Sequence, residues 1–428
     1  MVYSQVGPIN EIISCHPCGS DLMIEADMDL DGTPDLLFYS EIDQKMAWVK
    51  NDGQGNFVSR TRLPDYKGIF DIIQLADLDG DGDIDVFFTS NAEKTIGWFE
   101  NDQGGQFNTP PIIISNEIDQ ARYGDLGDID MDGDIDIVTS SSIDKETIIF
   151  KNDGQGIFSI EQVIEGERGT TILYLEDLDG DRDLDLYAVH GSGLVWFRND
   201  GTGHFETLTL IDDFTWEGFA DFADLDGDGD TDILTSRDRE DQLGWYENDG
   251  AGQFKEKRIY GTITEGSGGP VKSIDMDMDG DMDIVTYQGS IDKDLFWYEN
   301  DGLGNFSATK SITKEIKWLN SFEVVDLDGD GDLDVAVGNK FNERVRWFEQ
   351  IVDGTYEEHI ILFTEVLRLA DIQTEDLDND GDQDILAVGR DDGTVSWFAN
   401  NGQGVFSEKI VITKKQEMNG TALSLIHI

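Results

Sequence analysis

The segment Asp77-Leu-Asp-Gly-Asp-Gly-Asp-Ile-Asp85 puts five aspartates into nine residues, in the pattern D-x-D-x-D-G-D-x-D. Further copies begin at Asp27, Asp128, Asp177, Asp224, Asp275, Asp326 and Asp376. Thr33 replaces one aspartate in the first copy, and Arg182 replaces the glycine in the fourth. Carboxylates gathered this densely repel one another, and a folded chain holds them together only around a cation. Oxygen ligands at alternate positions, with glycine at the sixth for a sharp turn, suit a hard cation such as Ca²⁺. Successive copies start 50, 51, 49, 47, 51, 51 and 50 residues apart. A period near fifty residues belongs to propellers and other repeat architectures.

The second copy shows what one period contains. Ile72 to Ala76 (IIQLA) is a short apolar run entering the loop, and Val86 to Ser90 (VFFTS) leaves it with β-branched and aromatic residues. A polar turn leads to Thr95 to Glu100 (TIGWFE), then a tight turn from Asn101 to Phe107, then a fourth strand through Ile112 to Ile114. Elsewhere that turn reads Asn-Asp-Gly-x-Gly-x-Phe, as at Asn51 to Phe57 and Asn248 to Phe254, with Asn and Gly expected to supply positive φ angles. Each period therefore predicts four short antiparallel strands. One such sheet leaves two edges open and cannot bury both faces. Radial stacking solves both problems, and a helical solenoid is excluded because no repeat carries a helical apolar period. The expected fold is an all-β propeller of four-stranded antiparallel blades, with eight blades, or seven and an extra repeat. Residues 20–414 form the propeller, 1–19 a lead-in strand of a partial repeat, and 415–428 the start of a further repeat or a closing strand.

Seven of the nine tryptophans recur on the third strand: Trp48, Trp98, Trp196, Trp245, Trp297, Trp347 and Trp397. One position repeated so often argues packing between neighbouring sheets. Ile149 takes that place in the third repeat, and the phenylalanine after the turn (Phe57, Phe107, Phe158, Phe205, Phe254, Phe306, Phe406) reads the same way.

The aspartate loop, the apolar strand after it and the run W-[FY]-E-N-D-G-x-G-x-F resemble the FG-GAP/VCBS repeats. These calcium-binding propeller modules occur in integrin α-subunit heads, fungal propeller lectins and many secreted bacterial proteins. The resemblance spans about Ser20 to Thr413. It implies one Ca²⁺ per repeat, up to eight, held by side chains at loop positions one, three, five and nine and by the carbonyl of position seven. In the first loop these are Asp27, Asp29, Asp31 and Asp35 with the carbonyl of Thr33; in the second, Asp77, Asp79, Asp81 and Asp85 with that of Asp83. The third offers Asp128, Asp130, Asp132 and Asp136 with Asp134, and the fourth Asp177, Asp179, Asp181 and Asp185 with Asp183. The fifth offers Asp224, Asp226, Asp228 and Asp232 with Asp230, and the sixth Asp275, Asp277, Asp279 and Asp283 with Asp281. Asp326, Asp328, Asp330 and Asp334 with Asp332 follow in the seventh, and Asp376, Asp378, Asp380 and Asp384 with Asp382 in the eighth. Three departures stand out. Arg182 occupies the turn position of the fourth loop and is expected to strain it, and Pro34 lies beside a ligand in the first. In the seventh repeat Glu349 to Gly354 replaces the N-D-G turn and predicts a longer hairpin.

If the loops and the N-D-G turns share one face, the variable connections share the other, and rigid scaffolds usually carry binding on such loops. Tyr66, Tyr123, Trp216 and Trp318 lie in these connections, where aromatics either stack on sugars or cap blade ends as packing. Catalytic signatures are missing: the five histidines (His16, His190, His204, His359, His427) are scattered, and no H-E-x-x-H or nucleophile elbow is present. The expectation is a non-enzymatic binding or adhesion module for glycan or extracellular protein. The alternative is a calcium-dependent polysaccharide lyase or hydrolase with its site in a central cleft.

Composition narrows the setting. The 428 residues carry 91 acidic and 30 basic side chains, a formal net charge of −61. Even with a divalent cation in every loop the chain stays strongly acidic, which disfavours nucleic acid and anionic membranes. No apolar run is long enough to span a membrane. Millimolar calcium and the resemblance point to a secreted or surface location, although Met1 to Pro8 lacks a signal sequence, and the chain reads as part of a longer one. Cys15 and Cys18 read as a terminal disulfide or two free thiols rather than a redox or zinc half-site.

Overall fold

The computed structural model describes residues 13–15 and 22–413, except 41–44, 55, 103, 142, 167–169, 171, 191–192, 207, 214–219, 237–241, 263–266, 290–291, 318, 340–343, 353, 364–368 and 390–393. Every regular element among the described residues is a β-strand. Seven sheets have four strands and one has five, and in each the repeat's strands pair in sequence order. The fold is thus an all-β propeller of eight blades, as the fifty-residue period requires. The fifth strand, Ile13–Cys15, pairs antiparallel with Ile73, Gln74 and Leu75 of the second repeat.

The third repeat shows how residue type sets each strand. Its strands are Ala121–Gly127, Asp136–Ser141, Glu146–Lys151 and Ser159–Glu165. Every residue of Asp136–Ser141 is buried, so that strand reads as a continuous run rather than an alternation. Ser159–Glu165 is mostly exposed, Ile160 and Val163 included, and its pairing with the third strand shifts register once. In all eight repeats the second strand begins on the ninth aspartate of the loop, from Asp35 to Asp384.

The chain packs as two compact units. One comprises residues 1–18, 67–289 and 296–310, the other 19–66, 290–295 and 311–428. Within the first unit, Leu78, Phe87 and Trp98 of the second repeat share a core with Leu126, Ile137 and Phe150 of the third. The same sheet-to-sheet core continues from the third repeat to the fourth, the fourth to the fifth and the fifth to the sixth. Within the second unit, Trp347 of the seventh repeat packs with Phe398 of the eighth, and Leu386 of the eighth with Leu36 and Phe38 of the first.

All seven repeat tryptophans are buried, as is Ile149. What meets Trp98, Trp196, Trp245, Trp347 and Trp397 is the hairpin turn of the following repeat. A Cβ on Gly156 would lie 2.5 Å from Trp98, and Gly252, Gly304 and Gly404 sit equally close to Trp196, Trp245 and Trp347. The turn phenylalanines complete the contact edge-on: Phe254 on Trp196, Phe406 on Trp347 and Phe57 on Trp397, each with ring centroids 6.4 Å apart.

The turn asparagine has a role other than the one expected. Positive φ in these turns falls on the glycines, and Asn51, Asn152 and their counterparts do not adopt it. Their side chains instead reach the preceding repeat. Asn152 Nδ2 donates to the carbonyl of Leu78 at 2.8 Å and to that of Ile135 in its own repeat at 3.0 Å. Asn199, Asn248 and Asn300 donate likewise to Ile129, Leu178 and Leu225, Asn400 to Leu327, and Asn51 to Leu377. Each carbonyl belongs to the second residue of the neighbour's aspartate loop. In the seventh repeat the strands themselves lengthen, to Arg344–Val352 and Thr355–Phe363, and Gln350 replaces the asparagine.

Asn152→Ala leaves two buried carbonyls without a donor and is expected to destabilise the protein by about 2 kcal/mol in urea unfolding. A loss within about 0.5 kcal/mol, typical of an ordinary surface change, would contradict the clamp.

Candidate metal centres

Each aspartate loop is shaped by two residues in the left-handed region. Position four carries Leu30 (φ 58°), Met131 (φ 58°), Met278 (φ 55°), Asn379 (φ 56°) or glycine. Position six carries glycine throughout, save Arg182 at φ 78°. A Cβ at Gly82, Gly133 or Gly229 would meet nothing within 4 Å, so Arg182 fits sterically and carries only backbone strain, about 1–2 kcal/mol.

That backbone path points amide N–H groups at the carboxylates. Asp77 accepts from Gly80 N at 2.8 Å and Gly82 N at 3.0 Å, and Asp81 accepts from Asp83 N at 3.0 Å. The ninth aspartate is held most firmly. Asp85 accepts from Leu78 N at 2.9 Å with one oxygen and from Asn101 N at 2.8 Å with the other. The same pair of donors serves Asp35, Asp136, Asp185, Asp232, Asp283, Asp334 and Asp384, with Gln350 N standing in for the asparagine at Asp334. The turn closes over the loop: a Cβ on Gly154, Gly250 or Gly302 would lie 2.5 Å from a carboxylate oxygen of Asp134, Asp230 or Asp281.

Oxygens from positions one, three and nine converge. In Asp27/Asp29/Asp35, Asp77/Asp79/Asp85, Asp128/Asp130/Asp136, Asp177/Asp179/Asp185 and Asp224/Asp226/Asp232, one oxygen from each residue lies within 4.8 Å of the others. These five triads do not draw on position five or seven, whose carboxylates serve the loop and the turn. The aspartate at position three is recurrently left unsatisfied, as are single oxygens of Asp183 and Asp332 at position seven. Oδ1 of Asp29, Asp130, Asp179, Asp226 and Asp378 is buried without a hydrogen-bond partner, and the Asp130 and Asp179 side chains are only 6% and 4% exposed.

Burial pushes the ninth carboxyls up, to about 7 in Asp35, Asp136, Asp232, Asp283, Asp334 and Asp384, about 8 in Asp85 and about 6 in Asp185, against the pull of their two backbone donors. Burial and then the neighbouring Asp81 carboxylate push Asp79 up to about 6. Carboxyls pushed to about 7 or 8 are partly protonated at neutral pH, and a cation beside them would hold them ionised. The all-oxygen donor set and the orphaned buried oxygen therefore fit a hard divalent cation.

The hairpin adds charged groups that the motif did not bring to notice. Lys50 pairs with Asp29 and Asp31, Lys151 with Asp130 and Asp132, and Arg198 with Asp179 and Asp181. Other repeats place Glu100, Glu247, Glu299 or Glu349 at the same point of the third strand, and Ala399 stands there in the eighth. Glu100, Glu247 and Glu349 lie near enough to add to the upward push on Asp79, Asp226 and Asp328. The sequence signal was the residue before the turn asparagine, whose charge changes sign between repeats.

The aromatic candidates fare differently. Tyr66 is half-buried in the connection after the first repeat. Tyr123 lies in the first strand of the third repeat, half-buried against the core shared with the fourth. Trp216, Trp318 and Cys18 lie outside the described residues, as do most residues of the variable loops around 236–242.

Comparison with known proteins agrees with the repeat structure. The family described as FG-GAP-like repeat matches residues 27–88, 77–139, 128–188, 177–235, 224–286, 275–337, 326–387 and 376–426, each match opening on the first aspartate of a loop. No curated protein matches the sequence. Among solved structures, a lectin from Agrocybe aegerita is similar over 69% of this chain and 81% of its own, at TM-score 0.52 and 21% identity, which shows the shared fold. The Vibrio cholerae biofilm matrix protein Bap1 aligns over 93% of this chain and 88% of its own at TM-score 0.46 and 13% identity. A 6-phosphogluconolactonase-like protein from Bacteroides uniformis, named as putative, aligns over 81% and 98% at TM-score 0.41 and 8% identity.

Asp130→Ala removes one converging oxygen from the third loop. Native mass spectrometry of the cation-loaded chain is expected to count one ion fewer than in the parent, and an equal count would place the ions elsewhere.

Proposed function

Because the chain belongs to the FG-GAP-like repeat family, we propose that it is a calcium-stapled propeller serving outside the cytosol as a non-enzymatic binding module for glycan or protein ligands. The observation that carries the calcium reading is the recurrent oxygen cage with one buried, unpartnered carboxylate oxygen. The ion would sit between the first, third and ninth aspartates, with the fifth and the seventh carbonyl as further oxygens. It neutralises carboxylates that burial otherwise drives towards protonation. The aspartates then act as structural ligands, since general-acid work needs a proton that a cation-bound carboxylate does not hold. Extracellular sites of this kind bind at about 10⁻⁴ to 10⁻³ M, a concentration met outside cells.

Two considerations support binding as the role. The Agrocybe aegerita lectin of the same fold recognises non-reducing terminal N-acetylglucosamine. The strongly acidic surface turns away polyanions, which leaves neutral or basic glycans and proteins as partners. Tyr66, Tyr123, Trp216 and Trp318 remain the aromatic candidates for ligand contact.

At 2 mM calcium each site is expected to stabilise the fold by about 0.6–1.8 kcal/mol relative to chelator, so with several sites thermal unfolding should move well upward. An identical midpoint in EGTA and in calcium sinks the staple. On an immobilised glycan array the chain is expected to retain a ligand in calcium, lose it in EGTA and leave it chemically intact. Shortened or unsaturated products in the eluate would instead assign a polysaccharide-degrading enzyme.

A further inference from the structure

We infer that the eight cation sites are not equivalent, and that the residue just before the hairpin turn sorts them into weak and tight classes. Lys50, Lys151 and Arg198 make the sites of the first, third and fourth repeats weak. Glu100, Glu247, Glu299 and Glu349 make those of the second, fifth, sixth and seventh tight, with Ala399 leaving the eighth between them. The inference rests on the reading that the loops hold calcium.

The geometry is the same in all three basic repeats. Lys50 Nζ reaches Oδ2 of Asp29 and, at 2.6 Å, Oδ2 of Asp31. Lys151 Nζ reaches Oδ2 of Asp130 and lies 3.2 Å from Oδ2 of Asp132. Arg198 spans Asp179 Oδ2 from Nε at 2.7 Å and Asp181 Oδ2 from Nη2 at 2.9 Å. Each cation thus takes the outer oxygens of the third and fifth aspartates. The inner Oδ1 of Asp29, Asp130 and Asp179 stays buried and unpartnered. The basic group is therefore on the wall of the cage rather than in it. The cage is still open to an ion, but it already holds one positive charge a few ångströms away.

In four other repeats the same sequence position carries a carboxylate instead, and Glu100, Glu247 and Glu349 lie near enough to push up Asp79, Asp226 and Asp328. The carboxylate's own partners lie on or near the fourth strand, and of these Lys255 also feels Asp226 and Asp228 of the fifth loop. Glu247 pairs with Lys255 and, at 3.5 Å, Arg258; Glu299 with Lys310 at 3.0 Å; and Glu349 with His359 at 2.5 Å. Glu100 accepts only a long hydrogen bond of 3.4 Å from Thr109 Oγ1 among its described contacts, so its charge is the least offset and the second site should be the tightest.

Affinity in oxygen-only calcium sites follows ligand charge, and groups bonded to the ligands tune it further. Exchanging a negative wall group for a positive one at this range changes affinity by on the order of tenfold to a hundredfold. The basic group also gives its loop an internal counter-ion. As calcium falls, the first, third and fourth sites empty first, yet their third and fifth aspartates stay bridged. The repeats with glutamate lose both ion and compensation together.

Calorimetric titration of the chelator-stripped full chain with calcium chloride reads this directly. The expected isotherm has at least two classes, a weak one of three sites separated by tenfold or more. The triple variant Lys50→Glu, Lys151→Glu, Arg198→Glu should move those three sites into the tight class, and Glu100→Lys should move one site the other way. The single changes Lys50→Gln and Lys151→Gln, which remove charge without adding any, should each tighten one site by a smaller factor and remain readable if the triple variant fails to fold. Eight equal sites, or variants whose isotherms match the parent, would overturn the sorting while leaving calcium binding intact. A parent chain that takes up no calcium would defeat the underlying reading instead.

Discussion

A buried carboxylate with both oxygens committed to backbone amides is the junction from which each repeat is built. The ninth aspartate of the loop accepts from the second loop residue and from the turn asparagine, sixteen residues on in Asp85 and Asn101. One side chain thereby joins the mouth of the loop, the start of the second strand and the end of the third. Neither donor neutralises it. Burial still pushes Asp85 up to about 8, and the charge it favours losing is the one a cation would keep. Loop closure and hairpin closure are therefore one event, which cation binding would join.

The same asparagine carries that order across to the next sheet. Its backbone N–H serves its own aspartate, while its amide donates to the preceding loop at a carbonyl that would otherwise be buried and unpaired. Beneath this polar seam lie the tryptophan and the turn glycine, which leaves no room for a Cβ. Within each compact unit a repeat with the turn asparagine thus meets its neighbour twice, once through hydrogen bonds and once through packing. Stability in such an array approximates a sum of repeat and nearest-neighbour terms. The seventh repeat gives up the asparagine and lengthens its hairpin, with Gln350 N still serving Asp334 and the Gln350 side chain bonded to Tyr356 at 2.7 Å.

Cation chemistry proposed for this chain would be graded by what surrounds an invariant set of candidate ligands. The side chains expected at positions one, three, five and nine are aspartate in every loop, so differences among sites come from groups that touch the ligands. Arg182 adds backbone strain to the fourth loop, and Arg198 adds positive charge to its wall. An acidic scaffold whose cages a cation would neutralise makes a stable platform, and its variable connections are free to diverge without disturbing the seams.

Much of this was written in short-range patterns. The carboxylate spacing, the β-branched runs and the glycines act within ten residues, so loops, strands and a fifty-residue repeat follow from sequence alone, and the recurrence of tryptophan at one position already implied packing. The converging first, third and ninth aspartates were legible for the same reason. Other roles depend on partners that no local pattern names. Asn152 was read as a turn former, yet its deciding contact is with Leu78, 74 residues earlier. Lys50 lies 21 residues from Asp29, in a different strand, and its place on the cage wall emerges only when the hairpin folds back. Tyr123, a candidate for ligand contact, turned out half-buried against a core that the next repeat supplies. By itself the sequence determined the repeat, its strands and the aspartate loops, because repulsion, chirality and side-chain alternation operate between near neighbours. Which groups clamp one sheet to the next, and which charges line each cage, was decided by tertiary structure, because only folding brings residues twenty to seventy positions apart within hydrogen-bond reach.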